Sequence, residues 1–155
     1  MAAPTTIDEF LDLVRRSKLV EPAKLDAYLA SYPEAQAGTH GELAKKLAAA
    51  GLLTTFQTDQ LLRGKHRGYF LGKYKLLERI GMGGMGQVFL AEHTSMRRRS
   101  ALKVLPPDMA NDQFARERFM REARAIGQLD HPNLVKAFDV DSDADVVFLV
   151  MEYIE

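Results

Sequence analysis

The sequence predicts an α+β fold in two parts. Residues 1–68 read as a small all-α domain of two helical hairpins, and residues 69–155 as a five-stranded antiparallel sheet with one long helix. Three observations carry this. Early apolar residues recur at helical spacing, as in Phe10, Leu11, Leu13 and Val14. Later ones form short runs that read as strands, such as Tyr74–Ile80, Ser100–Leu105 and Val146–Met151. Gly64, Gly68 and Gly72 punctuate the junction.

Composition narrows the classes. A chain of 155 residues holds one domain or two small ones, and 46% apolar residues is a globular rather than disordered composition. Lys+Arg and Asp+Glu are equal at 21 each, so no net field draws the whole chain to nucleic acid or an acidic membrane. Without cysteine there are no disulfides and no thiolate metal sites, which fits a reducing compartment, and a cytoplasmic location is expected. The N-terminus shows no basic segment leading into an apolar core, so it does not read as a signal peptide. No apolar run approaches the ~18 residues of a membrane span.

The helical part opens on Thr6-Ile-Asp-Glu9, a capping box in which Thr6 caps and Glu9 reaches back. Pro22 suits the first turn of a second helix, whose apolar face is Leu25, Tyr28 and Leu29. Residues 31–40 read as a loop. A third helix is expected from about Gly41 to Ala50, stopped by Gly51. A fourth runs from a Thr54 cap to Arg63 or Gly64. An offset of 33 positions aligns Phe10 with Leu43, Val14 with Leu47, Leu19-Val20 with Leu52-Leu53, Asp26 with Asp59, and Tyr28-Leu29 with Leu61-Leu62. Two similar helical hairpins packed on each other explain the offset; two unrelated amphipathic hairpins would also give a mostly apolar match. The unit is read either as a docking or self-association module or as a structural prop. The basic cluster Arg63-Gly-Lys-His-Arg67 reads as a solvated linker before an anion contact.

The most informative stretch is Ile80-Gly81-Met82-Gly83-Gly84-Met85-Gly86-Gln87-Val88. A lone G-x-G-x-x-G fits a dinucleotide turn, another phosphate loop or a turn with no ligand. A dinucleotide fingerprint needs strand, turn, helix. Here Val88-Phe-Leu-Ala91 follows with no helical period, so the glycines lie at the tip of a strand–loop–strand hairpin. Glycine lets backbone N–H groups approach phosphate oxygens with no Cβ between. The next strand places Lys103 inside an apolar run, and nineteen residues on, Glu122 lies in Arg-Glu-Ala-Arg of a helical pattern. Singly, Lys103 also reads as a snorkelling edge lysine and Glu122 as one charge among many. In this order and spacing, coincidence is a poor explanation.

Residues Tyr74 to Glu155 resemble the small lobe of a bacterial eukaryotic-like Ser/Thr protein kinase. The resemblance rests on the glycine hairpin, Ser100-Ala-Leu-Lys103, Glu122, His131-Pro-Asn133 and Val150-Met-Glu-Tyr153. It implies ATP as the nucleotide and protein Ser/Thr residues as acceptors. Residues 81–87 would cover the phosphates; Lys103 would hold two of them and be held by Glu122. Ile80, Val88 and Ala101 would line the adenine pocket with Met151 at its back. Glu152 to Ile154 would form the hinge. The Mg²⁺ ligands of the family belong to the large lobe, and neither His-Arg-Asp nor Asp-Phe-Gly occurs in these 155 residues. The expectation is therefore a piece of a longer kinase, inactive by itself. It would expose apolar surface and self-associate, for example as a homodimer, or carry a shifted helix. The alternative parent is a pseudokinase or adaptor that uses both parts for contacts.

Three further stretches read more plainly. Arg97-Arg-Arg99 is a hairpin tip in water. The long helix begins near Asn111-Asp112, with Asn111 as cap, and runs to about Leu129; Phe119, Ala123 and Ile126 share one face, with Glu122 beside it. Asp139-x-Asp141-x-Asp143-x-Asp145 imitates a calcium loop but has Val146 where that loop turns on glycine, so it reads as a polar hairpin turn.

Overall fold

The computed structural model describes residues 2–83, 86–105, 112–128, 137–143 and 146–153, the side chains of 82, 83, 86, 122–128 and 137–139 apart. The chain divides into two compact units, Met1–Tyr69 and Phe70–Glu155.

The first unit holds α1 (Ile7–Ser17), α2 (Pro22–Ser31), α3 (His40–Ala49) and α4 (Thr55–Leu62). Each of α1, α3 and α4 starts on a threonine whose hydroxyl accepts a backbone N–H three residues on: Thr6 from Glu9, Thr39 from Glu42 and Thr54 from Gln57, all at 3.1 Å. These bonds satisfy donors that the first helical turn leaves unpaired. The predicted Thr6/Glu9 box is only half made, because the Glu9 carboxylate accepts instead from the Thr5 hydroxyl at 2.7 Å. A complete box forms at α4, where buried Gln57 turns its side-chain oxygen back to the Thr54 N–H at 2.9 Å. The third helix begins at His40 rather than Gly41, since Thr39 is the residue that caps it. The expected loop over 31–40 contains a short 3-10 helix, Pro33–Gln36, closed by Ala35 N–H to the Tyr32 carbonyl and anchored by buried Ala35.

Phe10, Val14, Leu25, Leu43, Leu47 and Leu61, drawn from all four helices, are at most 1% exposed and form the core of the unit. Helices of 8 to 11 residues are marginal alone, so this shared burial is what holds them. The chain leaves α1 and α3 through matching left-handed residues, Lys18 at φ 62° and Gly51 at φ 78°. Tyr69 ends the unit, buried, with its hydroxyl donating to the Lys65 carbonyl at 2.8 Å. Burial pushes its pKa well above the usual phenol value.

The second unit comprises β1 (Phe70–Leu71), β2 (Tyr74–Gly83), β3 (Gly86–His93), β4 (Arg99–Val104), α5 (Gln113–Gln128), β5 (Ala137–Asp143) and β6 (Val146–Glu152). All pairings are antiparallel, in the order β1-β2-β3-β4-β6-β5. The described strands number six, not the expected five. The extra one, β1, is two residues long and too short to show a period; Gly72 at φ 56° turns it back so that Phe70 faces Lys75. The Gly72 N–H donates to the Asp143 carboxylate at 2.8 Å, so the β1–β2 turn is tied to the distant end of β5. Asp143 thus has a defined structural task, at the end of the β5–β6 ladder where it pairs with Val146.

The α5 helix starts one residue later than expected. Asp112, not Asn111, caps it: its Oδ1 accepts from the N–H groups of Phe114 at 2.9 Å and Ala115 at 3.3 Å. Asn111 lies outside the described residues. Between β3 and β4 the turn is held by His93 Nδ1, which accepts from the N–H groups of Ser95 and Met96, and by left-handed Arg97. Arg97, Arg98 and Arg99 are all exposed there. On α5, Arg116, Arg118 and Arg121 are exposed, whereas Phe119 is buried.

Candidate functional site

The ladder assembles the candidate residues. Residues directly opposed in an antiparallel pair point to the same face of the sheet, and so do residues two apart along a strand. Gly81 faces Val88, Val88 faces Lys103, and Lys103 faces Leu149. Leu90 faces Ala101, and Ala101 faces Met151. One face therefore carries, across four strands, Gly81, Val88, Lys103, Ala101 and Met151. These positions span 71 residues of sequence (151 − 81 + 1) yet form two adjacent rows of the ladder.

The same face is the one on which α5 packs. Ala101, Leu105, Phe119, Leu149 and Met151 form a buried cluster, with Val88, Met120, Val140 and Val147 against it. Glu122 lies on α5 three positions after Phe119, one helical turn along; its side chain, and that of Ala123 and Ile126, is outside the described residues. Lys103, partly buried, thus stands at the edge of an apolar cluster whose far wall is the helix that carries Glu122.

The glycine stretch forms a hairpin. Pairing between β2 and β3 runs through Met82↔Gln87 to Gly83↔Gly86, with no helix following. Gly84 and Met85 lie outside the described residues. The register shifts between Arg79 and Gly81, so Ile80 sits in a bulge and is 45% exposed. Gln87 takes a hydrogen bond from Arg79 at 3.3 Å across the two strands. Glu152 ends β6, exposed and opposite Ser100; Ile154 lies outside the described residues, as do His131, Pro132 and Asn133.

Two residues that complete this face were not singled out from the sequence: Leu149, directly opposite Lys103, and Leu105, whose N–H donates to the Val147 carbonyl at 2.9 Å. The signal for Leu149 was present, since Val147, Leu149 and Met151 alternate along β6 and all join the buried cluster. Among the described residues no three His, Asp or Glu side chains gather as a metal site, and no helix is long and apolar enough to cross a membrane.

A glycine hairpin that continues an antiparallel sheet, one face of which carries Lys103 and packs α5, is the arrangement expected of a protein kinase small lobe. Residues 74–155 match the family model for the protein kinase domain, and the chain belongs to that family. Over 84 residues it is 45% identical to the serine/threonine-protein kinase PrkC of Bacillus subtilis, covering 54% of this chain and 13% of that protein. It is 41% identical over 83 residues to the serine/threonine-protein kinase PknD of Chlamydia trachomatis, covering 9% of that protein. The PknI kinase domain of Mycobacterium tuberculosis is 32% identical, with a TM-score of 0.47 over 57% of this chain and 35% of that one. The chain thus spans about an eighth or less of the length of these two curated relatives.

Proposed function

We infer that residues 70–155 form the ATP-binding small lobe of a Ser/Thr protein kinase, and that the whole protein transfers the γ-phosphate of ATP to protein hydroxyls. The observation that carries this is the placement of Val88, Ala101, Lys103 and Met151 on one sheet face, in the ladder that runs into the glycine hairpin and against α5. In this reading Gly81 to Gln87 lie over the phosphates, where backbone N–H groups meet phosphate oxygens. Lys103 donates to the α- and β-phosphates, and the Glu122 carboxylate fixes the lysine. Ile80, Val88 and Ala101 enclose the adenine, with Met151 behind it, and backbone groups of Glu152 to Ile154 read its edge.

Mg²⁺ neutralises charge between the phosphates in such enzymes, and no ligand for it is assigned within these residues. Positioning and charge stabilisation supply most of phosphoryl-transfer catalysis. The motifs that supply them, His-Arg-Asp and Asp-Phe-Gly, are not in this sequence. The 155 residues are therefore expected to bind ATP without transferring phosphate.

The test is a titration of the chain with ATP, followed by amide shifts at Gly81, Val88 and Lys103. Replacing Lys103→Met removes a charge-assisted contact of about 1.5–3 kcal/mol and weakens binding about tenfold or more. Unchanged affinity in that variant, or unchanged phosphotransfer when the substitution is placed in the whole protein, overturns the assignment.

A further inference from the structure

The glycine segment cannot fix its own position through side chains. Ile80 to Gly86 holds four glycines, two methionines and one isoleucine, with no polar side chain among them. Glycine loses more backbone freedom on ordering than any other residue, so a hairpin of this composition is costly to hold still. The ladder secures it only in part. Pairing between β2 and β3 shifts between Arg79 and Gly81, and the bulge at Ile80 interrupts the ladder just where the glycine stretch begins.

Arg79 and Gln87 bracket that segment, one just before it and one just after. Arg79 Nη1 donates to Gln87 Oε1 at 3.3 Å, from one strand to the other. Register explains the reach. Arg79 faces Phe89, and Gln87 stands two positions before Phe89, so the two side chains are diagonal neighbours on one face. That face is not the one that carries Lys103. Gln87 and Phe89 alternate with Val88 along β3, and Val88 is the residue that faces Lys103. Arg79 therefore stands on the far side of the sheet from the nucleotide face, and its bond spans the base of the glycine hairpin without occupying that face.

We propose that Arg79 is a positioning residue for the nucleotide: with Gln87 it clasps the base of the glycine hairpin and holds the hairpin backbone in place before the phosphates arrive. The inference rests on the reading of this sheet face as an ATP site. A clasp of this kind acts by preorganisation, since backbone freedom already lost in the free chain is not lost again on binding. Its effect falls on the phosphate end of the nucleotide. The adenine end is enclosed mainly by Val88, Ala101 and Met151, which the regular ladder of β3, β4 and β6 holds without it. The bond is exposed to water, so its effect is modest in size and is recognised by its pattern.

The test uses the 155-residue chain with Arg79→Ala, Gln87→Leu and the double variant, titrated with ATP and with adenosine and read by amide shifts and hydrogen exchange. In the ligand-free chain, exchange at the Gly81 and Val88 amides is expected to quicken about two- to fivefold in each variant, with the Leu149 amide unchanged. ATP affinity is expected to fall by about the same two- to fivefold, the double variant falling no further than either single one, while adenosine affinity stays as in the unaltered chain. Equal losses for ATP and adenosine, a loss in Arg79→Ala that Gln87→Leu does not share (charge rather than clasp), or losses that add in the double variant each overturn the proposal. If the unaltered chain binds no ATP, the nucleotide reading fails and takes this inference with it. If ATP binds and no variant alters affinity or exchange, the clasp alone fails.

Discussion

The helical unit and the sheet unit reach order by different means. Most of the helical unit's defining hydrogen bonds close within three or four residues: Thr6 to Glu9, Thr39 to Glu42, Thr54 to Gln57, Tyr69 to Lys65. The sheet unit depends on partners far apart, such as Lys103 with Leu149 and Gly72 with Asp143. Closing such long loops costs entropy before any contact rewards it. The candidate nucleotide face therefore exists only when the whole ladder is in register, whereas each helical hairpin carries its own start and stop signals.

Core truncation is the strongest way to probe this contrast. Phe10→Ala in the helical seam and Phe148→Ala in the sheet, both fully buried, are each expected to cost about 3–5 kcal/mol in denaturant unfolding. Phe148→Ala is further expected to disturb the register at its partner Val104 and so to shift the Lys103 amide. An undisturbed Lys103 amide would show that the ladder tolerates local loss.

Backbone strain is the next lever. Gly51→Ala and Gly72→Ala each force a side chain into the left-handed region, at φ 78° and 56°, and are expected to lose about 1–2 kcal/mol each. A built Cβ at Gly51 meets nothing within 4 Å, and at Gly72 it comes 3.7 Å from Phe148 Cζ, so conformation rather than collision sets both costs. A much larger loss for Gly72→Ala would mean that the Asp143 bond fails with it.

Capping gives a smaller and more discriminating comparison. Thr54→Ala and Thr6→Ala each remove one hydroxyl that accepts a first-turn N–H, against a usual cap loss of about 1 kcal/mol. Thr54→Ala should be the costlier, because the backbone N–H it orphans belongs to buried Gln57, whereas Thr6→Ala leaves the N–H of exposed Glu9 to water. Equal losses would show that burial of the orphaned N–H adds nothing to the cost of losing the cap. The smallest effect belongs to Arg15→Ala. Its ion pair with Asp26 is exposed by 43% and 61% on the two sides, so thermal unfolding should register less than about 1 kcal/mol.

Much of the helical unit was legible beforehand because its signals are local. Threonine caps, Pro22 at a helix start and Gly51 at a helix end each act within one turn. The misreadings were also local, and each was a choice between neighbouring polar groups. Asp112 rather than Asn111 caps α5, and the Glu9 carboxylate takes the Thr5 hydroxyl instead of closing its box. In the sheet, the glycine hairpin and the lysine strand were readable from composition and order. The two-residue β1 was not, because it has no period and exists only by pairing with β2. Leu149 was passed over because its importance comes from facing Lys103, a fact of register.

By itself, then, the sequence determined, to within a residue, where helices start and where the glycine hairpin falls. Those properties follow from side-chain oxygens reaching backbone donors a turn away and from glycine's freedom at a tight approach. Only the tertiary structure decided that Val88, Ala101, Lys103 and Met151 share one face and that Gly72 is tied to Asp143. Each of these depends on strand register. Register is set by the simultaneous burial of many side chains, and no short window of sequence contains it.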